Sequence, residues 1–553
     1  MFKLFPYNEL DLLRKGDIMK PLKLFATLLA SALLLTACTQ PQTPTQPEIQ
    51  VPTAPPYTNA TQIILNDDGI TVDGAAVSTD PAASVYTAND IVYYESGKDF
   101  TYGEGSEADA HTAQEAAAHT VVHITKPGVY SISGKLSLGQ IAVDLGDDAE
   151  DDPNAVVTLV LNSMDITCQV APGVIFYNVY ECADAEQASK DVDTSAAGAN
   201  VIIADGTVNT VHGAYVARIY KPDSVVLNEE KTEVEDAKKL HKYDGAFYSK
   251  QTMNLFGGAE NTGVLNIHAE NEGLDTELHL TINGGNIHIE SGNDGINTNE
   301  DGISVTTING GSLSINVTGE TGEGDGIDSN GWLVINGGTV TAAACSNSAD
   351  AGIDSDMGIH INGGTVIATG HMLDQISSAG QNYAVFNFAQ KQTGSETVTM
   401  KDSAGNVILE TAPNNGYSIL IYSSPLLKSG TYTLFSDGTQ LSGSAGGMMG
   451  GHGMRPDGMG RPDGMQPPAE GQQPPEGNVP PEDFTRPEGD IPPEGFTHPE
   501  GEHRPEDFTH PEGETRPERP DGNRPGDPGM GSQEQTTDFT IRDGGNMFQV
   551  VSQ

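Results

Sequence analysis

The chain has 553 residues, with 77 Asp and Glu against 27 Lys and Arg, a formal net charge of -50. So acidic a surface repels nucleic acid and anionic lipid, which excludes both as direct partners. An anionic glycan can be met only through an intervening cation, and outside the cell calcium is the obvious one.

Lys20 and Lys23 open an apolar run over residues 22–35 that is too short to span a membrane. Leu35-Thr36-Ala37-Cys38 follows directly, in the pattern of a bacterial lipoprotein signal. The expectation is a signal region over residues 1–38 with Cys38 lipidated. The anchor would be the chain's only membrane contact, holding an extracellular body at the cell membrane. Residues 1–18 carry three acidic residues and fit no signal pattern, so Met19 is a candidate start. Residues 39–60, rich in Pro, Thr and Gln, read as a flexible tether.

From residue 61 the chain turns to short β-branched runs broken by Gly, Asn and Asp, which predicts strands. The best helical candidates are residues 108–118 and 229–240. Of four cysteines, Cys168 and Cys182 are a candidate disulfide in an oxidising compartment. Cys345 is then left over as a small buried residue.

The strongest pattern is a repeat. Ile282-Asn283-Gly284-Gly285 returns at residues 308–311, 335–338 and 361–364, at intervals of 26, 27 and 26. Between these copies lie Gly273-Leu274-Asp275-Thr276, Asp294-Gly295-Ile296-Asn297-Thr298, Asp325-Gly326-Ile327-Asp328-Ser329 and Gly352-Ile353-Asp354-Ser355, with Asp244-Gly245-Ala246 as an earlier copy. Such a period means a solenoid, because one unit cannot bury its apolar side alone. Each unit holds about three short strands, which predicts an all-β right-handed parallel β-helix over residues 61–380.

Stacked coils lie ~4.8 Å apart, so equivalent residues form columns. Asp275, Asn297, Asp328 and Asp354 fall in one column; Asp294 and Asp325 form a second, which Asp244 could extend. Two carboxylates that close repel by roughly 3–4 kcal/mol at an effective dielectric of about 20. Calcium relieves this by bridging them, which makes Asp275, Asp294, Asn297, Asp325, Asp328 and Asp354 the expected metal ligands. Asp and Asn are also ordinary turn residues, whatever they bind. His268, His279, His288 and His360 lack metal-ligand spacing and read as solvent-facing strand residues.

Residues 381–440 read as an antiparallel β cap that closes the solenoid's open edge. Residues 441–535 are Gly, Met, Pro and Glu rich with a nine-residue unit repeated at 481–489, 493–501 and 505–513, and read as a long disordered insertion. Residues 536–553 return to strand character and are expected to dock on the cap.

Several stretches together carry a family resemblance. They are Thr125-Lys126-Pro127-Gly128-Val129-Tyr130-Ser131-Ile132-Ser133-Gly134, Leu161-Asn162-Ser163-Met164-Asp165-Ile166-Thr167-Cys168, Ala204-Asp205-Gly206-Thr207-Val208-Asn209, and Tyr243-Asp244-Gly245-Ala246-Phe247-Tyr248-Ser249-Lys250, with the two repeated motifs. Residues 89–438 thus resemble the bacterial carbohydrate-binding domain-containing proteins. The resemblance implies a secreted right-handed β-helix, pectate-lyase-like in shape, that binds cellulose-like and polygalacturonate-like glycans with calcium between coils. It breaks at residues 183–198 and 218–239 and in the tail. The reading that follows is a monomeric lipoprotein that binds polysaccharide without catalysis. One alternative is a Ca²⁺-dependent polysaccharide lyase. That enzyme needs a cationic base with a lowered pKa, and Arg218 is the only Arg between residues 61 and 440, Lys250 the one Lys within the repeats. The other is an envelope adhesin or spacer acting through the tail.

Overall fold

A computed structural model describes residues 52–55, 57–183, 187–446 and 535–551. Cys38, the tether up to residue 51 and nearly all of the 441–535 insertion lie outside these. The described chain is all-β with large parallel sheets. Its one α-helix, Ala113–Ala117, is capped reciprocally by Thr112 and Glu115.

The repeats contribute strands to three parallel ladders. Leu280–Ile282 pairs with Val305–Ile308, which pairs with Trp332–Ile335 and then Gly358–Ile361. Asn286–Ser291 stacks on Ser312–Val317, Thr339–Ala343 and Thr365–Gly370. The third ladder runs from Thr120–Ile124 through Gly139–Asp144, Val174–Asn178, Gly245–Ser249, Glu272–Thr276 and Ile296–Thr298 to Ile327–Ser329.

The repeat has a physical reason at each position. Ile282, Ile308, Ile335 and Ile361 are buried one above another, as are Leu274, Ile296, Ile327 and Ile353. Each buried aliphatic side chain contributes about 1.5–3 kcal/mol. The asparagines of the Ile-Asn-Gly-Gly corner form an amide ladder: Asn309 Nδ2 donates to Asn283 Oδ1 (2.8 Å), Asn336 to Asn309 (2.9 Å) and Asn362 to Asn336 (2.8 Å). The second glycine of each corner takes a positive φ, +92° at Gly285 and +76° at Gly364, where a side chain would be strained.

The parallel stacking ends where Tyr417–Ser423 pairs antiparallel with Thr365–Gly370. Beyond it a second apolar cluster gathers Phe386, Tyr417, Leu434, Phe539 and Phe548. The terminal strand Gly545–Val551 runs parallel to Tyr383–Gln392 and antiparallel to Ser442–Ala445.

Three expectations are corrected. Residues 229–240 form no helix but part of a hairpin region, with strands Val234–Asp236 and Lys239–Tyr243. Asn228 Oδ1 accepts the Thr232 N–H at 2.8 Å and turns the chain there, at a segment with too thin an apolar stripe to hold a helix. Cys168 and Cys182 are both free. Cys168 packs in an apolar cluster with Val170, Ala171 and Tyr248, while the Cys182 thiol donates to the Asp193 carbonyl. Burial pushes the Cys168 thiol up to about 12, which makes it inert. His279, expected to face solvent, is only 1% exposed.

Candidate functional site

The third ladder carries the acidic columns. Its register pairs Asp275 with Asn297 and Asn297 with Asp328. The Asp354 N–H donates to the Ile327 carbonyl at 2.7 Å and carries the column one coil further. The second column is shifted from its expected membership. Because Gly245 is level with Glu272, and Leu274 with Ile296, the residue stacked on Asp294 and Asp325 is Glu272. Asp244 sits one place out of register.

The motif places two acids three residues apart because a glycine and an aliphatic residue separate them. The aliphatic residue points into the core. The glycine lies so close to the neighbouring ladder that a Cβ on Gly295 would stand 2.2 Å from Ile315 Cγ2, and one on Gly273 2.3 Å from Ile289 Cγ2. The two acids thus flank the aliphatic residue in two parallel columns, and Glu272 and Asp275 are buried there.

Six of these carboxylates gather in two groups. Asp244, Glu272 and Asp275 each offer an oxygen within 4.8 Å of the others, and so do Asp325, Asp328 and Asp354. Asp294 joins the second group through the Asp325 N–H, which donates to its Oδ1 at 2.7 Å. Asn297 lies between the groups, donating to Glu272 Oε1 at 3.1 Å. The ladder thus brings the six expected ligands into one strip, with Asp275 in the first group, Asp325, Asp328 and Asp354 in the second with Asp294 beside them, and Asn297 between. Asp244 belongs with Glu272 and Asp275 and not in the second column as expected, and sequence reasoning missed Lys242, whose ammonium pairs with Asp244 Oδ2.

Burial dominates the electrostatics. It pushes Glu272, Asp275, Asp294 and Asp325 well above the usual carboxylate range, and each neighbouring acid adds to the shift. Burial and then Asp374 push Asp354 to about 7. Burial works against the Lys242 ammonium, yet Asp244 beside it holds it above its ordinary value. Glu272 Oε2 and Asn297 Oδ1 are buried with no hydrogen-bond partner, which is costly unless something else meets them.

A hard divalent cation fits this arrangement. All the donors are carboxylate or amide oxygens, and Ca²⁺ binds 6–8 oxygens at about 2.3–2.6 Å. Oxygens on opposite sides of one ion are then at most ~5 Å apart, which the groups satisfy. Soft thiolate-seeking metals have no donor here. Bound Ca²⁺ would supply the charge that allows all these acids to ionise together.

A family model described as carbohydrate-binding domain-containing protein matches residues 118–404, a little over half of the chain. A protein of that description from Acetivibrio thermocellus is 30% identical over 172 residues, covering 31% of this chain and 45% of the relative. The chain therefore spans less than half the length of that relative. A solved structure described as a polysaccharide lyase-like protein from C. thermocellum, a gadolinium derivative, aligns with TM-score 0.30 and 19% identity, over 56% of this chain and 93% of the other.

Proposed function

Since the chain belongs to the family of carbohydrate-binding domain-containing proteins, we propose that it binds polysaccharide at the cell surface without catalysis, through calcium held in the third ladder. The ligand class is cellulose-like or acidic, polygalacturonate-like glycan. In this reading the three ladders are the walls of a right-handed parallel β-helix, entered in turn by each repeat. The Cys38 lipid anchors the chain, and the residue 39–60 tether sets a monomeric body away from the membrane.

The observation that carries the reading is the pair of three-carboxylate groups along one ladder, with buried oxygens left unpartnered. Uncompensated, such acids oppose the fold; bridged by Ca²⁺ they stiffen it, and a coordination position left open on the ion takes a carboxylate of an anionic chain. The two groups differ. Lys242 already neutralises part of the Asp244 group. The Asp325, Asp328 and Asp354 carboxylates, with Asp294 beside them, are the second site.

The test is a thermal melt and a polygalacturonate pull-down, each with Ca²⁺ and with chelator. Ligand at 100 times its Kd stabilises by about 2.7 kcal/mol, so calcium should raise the melting temperature and chelator should abolish the pull-down. Asp325→Asn with Asp328→Asn should remove most of that stabilisation. Equal melting and equal pull-down in the two conditions defeat the reading.

A calcium-dependent polysaccharide lyase is the second reading, favoured by one observation: Lys250 stands exposed with no carboxylate ion pair among the described residues. Release of unsaturated uronate from polygalacturonate distinguishes it.

A further inference from the structure

The amide ladder of the Ile-Asn-Gly-Gly corners stops at a cavity. The first ladder runs back from Leu280–Ile282 through Met253–Gly257 and Ala199–Ile203 to Val157–Cys168. Asn283 is the first amide of the series. Its Oδ1 accepts from Asn309 at 2.8 Å, and among the described residues none accepts from its own Nδ2. One coil earlier the corner reads Leu255-Phe256-Gly257-Gly258, with Leu255 level with Ile282, so Phe256 stands in the place of the asparagine. At this break lies a cavity of about 550 Å³, within the range of small-ligand sites. Asn254 and Asn283 line it from the ladder, Thr194 and Ser195 from one loop, and Pro52 and Pro55 from the N-terminal segment.

The ladder side of the cavity is uncharged. The register stacks Thr158, Asn200, Asn254, Thr281 and Thr307 in one column. In a chain with 77 Asp and Glu this column holds none, and no Lys, Arg or His lines the cavity. Asp193 is its one acid, and the Asp193 Oδ1 already accepts the Ser195 N–H at 3.0 Å. Asn254 is only 1% exposed. Its Nδ2 donates to the Thr194 carbonyl at 2.8 Å and to Asn200 Oδ1 at 3.2 Å, but its Oδ1 is buried with no partner. Such an acceptor is costly unless something meets it. Thr307 is half-buried on the same lining and keeps its hydroxyl. The cavity thus combines a spare acceptor at Asn254, a spare donor at Asn283 and a hydroxyl at Thr307, and has no cation to receive an acidic ligand.

We propose that this cavity is a subsite for a neutral sugar, whose hydroxyls donate to Asn254 Oδ1, accept from Asn283 Nδ2 and meet the Thr307 hydroxyl. A hydroxyl both donates and accepts, which an ionised carboxylate cannot do. The proposal rests on the reading of the chain as a polysaccharide binder and gives it a second site, on a different ladder from the acidic strip and without a metal. Each neutral hydrogen bond changes affinity by about twofold to tenfold.

The probes are cellotetraose and trigalacturonate, measured by calorimetry in excess Ca²⁺ on the full chain. Thr307→Val keeps the shape and removes one hydroxyl, and should weaken cellotetraose at least about threefold. Asn254→Leu removes the buried acceptor and should weaken it at least about fivefold. Both variants should hold trigalacturonate within about twofold of the unsubstituted chain. If Asn254→Leu does not fold, Thr307→Val decides alone. Unaltered cellotetraose affinity in either folded variant, or an equal loss for both sugars, overturns the subsite while the polysaccharide reading stands. Binding of trigalacturonate but not cellotetraose by the unsubstituted chain does the same. Failure of the unsubstituted chain to bind either sugar removes both.

Discussion

His279 lies in the corner just before Leu280–Ile282, and its Nδ1 accepts the Val305 N–H of the next coil at 3.0 Å. Burial holds the imidazole down at about 4, from an ordinary 6.5. The folded state therefore favours the neutral ring. Its stabilisation is complete above about pH 6.5 and is lost as pH falls toward 4, by roughly 3 kcal/mol for a shift of that size. His279→Asn keeps an acceptor but cannot take the proton. The wild-type advantage in melting temperature should shrink between pH 7 and pH 4, and a constant gap between the two proteins would contradict the assignment. Sequence alternation put His279 outward because it treats the residue as part of the strand; the corner obeys no such alternation. The stacking of Asp275, Asn297 and Asp328 was legible because strand register follows the repeat. Lys242 was not, since the Lys239–Tyr243 strand that delivers it to Asp244 belongs to no repeat.

Among the elements, the Asp-Gly-Ile turns are tightly packed. A Cβ on Gly295 would also meet the Gly326 carbonyl at 2.6 Å, so neither side can yield cheaply. Gly295→Ala should cost about 1–3 kcal/mol, measured by denaturant unfolding. Gly430→Ala is the contrast: the nearest atom to its Cβ lies 3.8 Å away, and the change should be close to neutral. Equal stability of the two variants would mean the coils are looser than these distances. The strands were readable wherever Ile or Leu alternated with polar residues, as in Asn286–Ser291. Residues 229–240 were misread because their charged residues mimic helical pairing, while the Asn228 side chain and the positive φ of Lys231 impose a turn. Propensity lost there to a local hydrogen bond that no periodicity displays.

For the molecule as a whole, the question is what stops an open parallel stack from recruiting further strands. The last strand of a parallel ladder exposes unpaired backbone groups and invites association. Here Tyr417–Ser423 covers the last Thr365–Gly370 strand, and Gly545–Val551 then covers Tyr383–Gln392. The cover is fixed by an aromatic trio: Phe386 stacks on Phe548 at 5.6 Å, and Phe539 meets them edge-on at 5.8 and 5.2 Å. This closure joins residues about 160 positions apart in sequence, Tyr383 with Gly545. Pairing over that distance is not written in any local pattern; only the return of strand character after the low-complexity stretch pointed to it. Phe548 is buried, so Phe548→Ala should cost about 3–5 kcal/mol, concentrated in the cap. The coils keep their own ladders, so the variant should show an early, separate melting step. It should also form concentration-dependent oligomers by light scattering, as the freed edge finds partners. A variant that melts in one step at the parental temperature and stays monomeric would mean that the terminal strand does not guard the edge, and that Tyr417–Ser423 alone ends the stack.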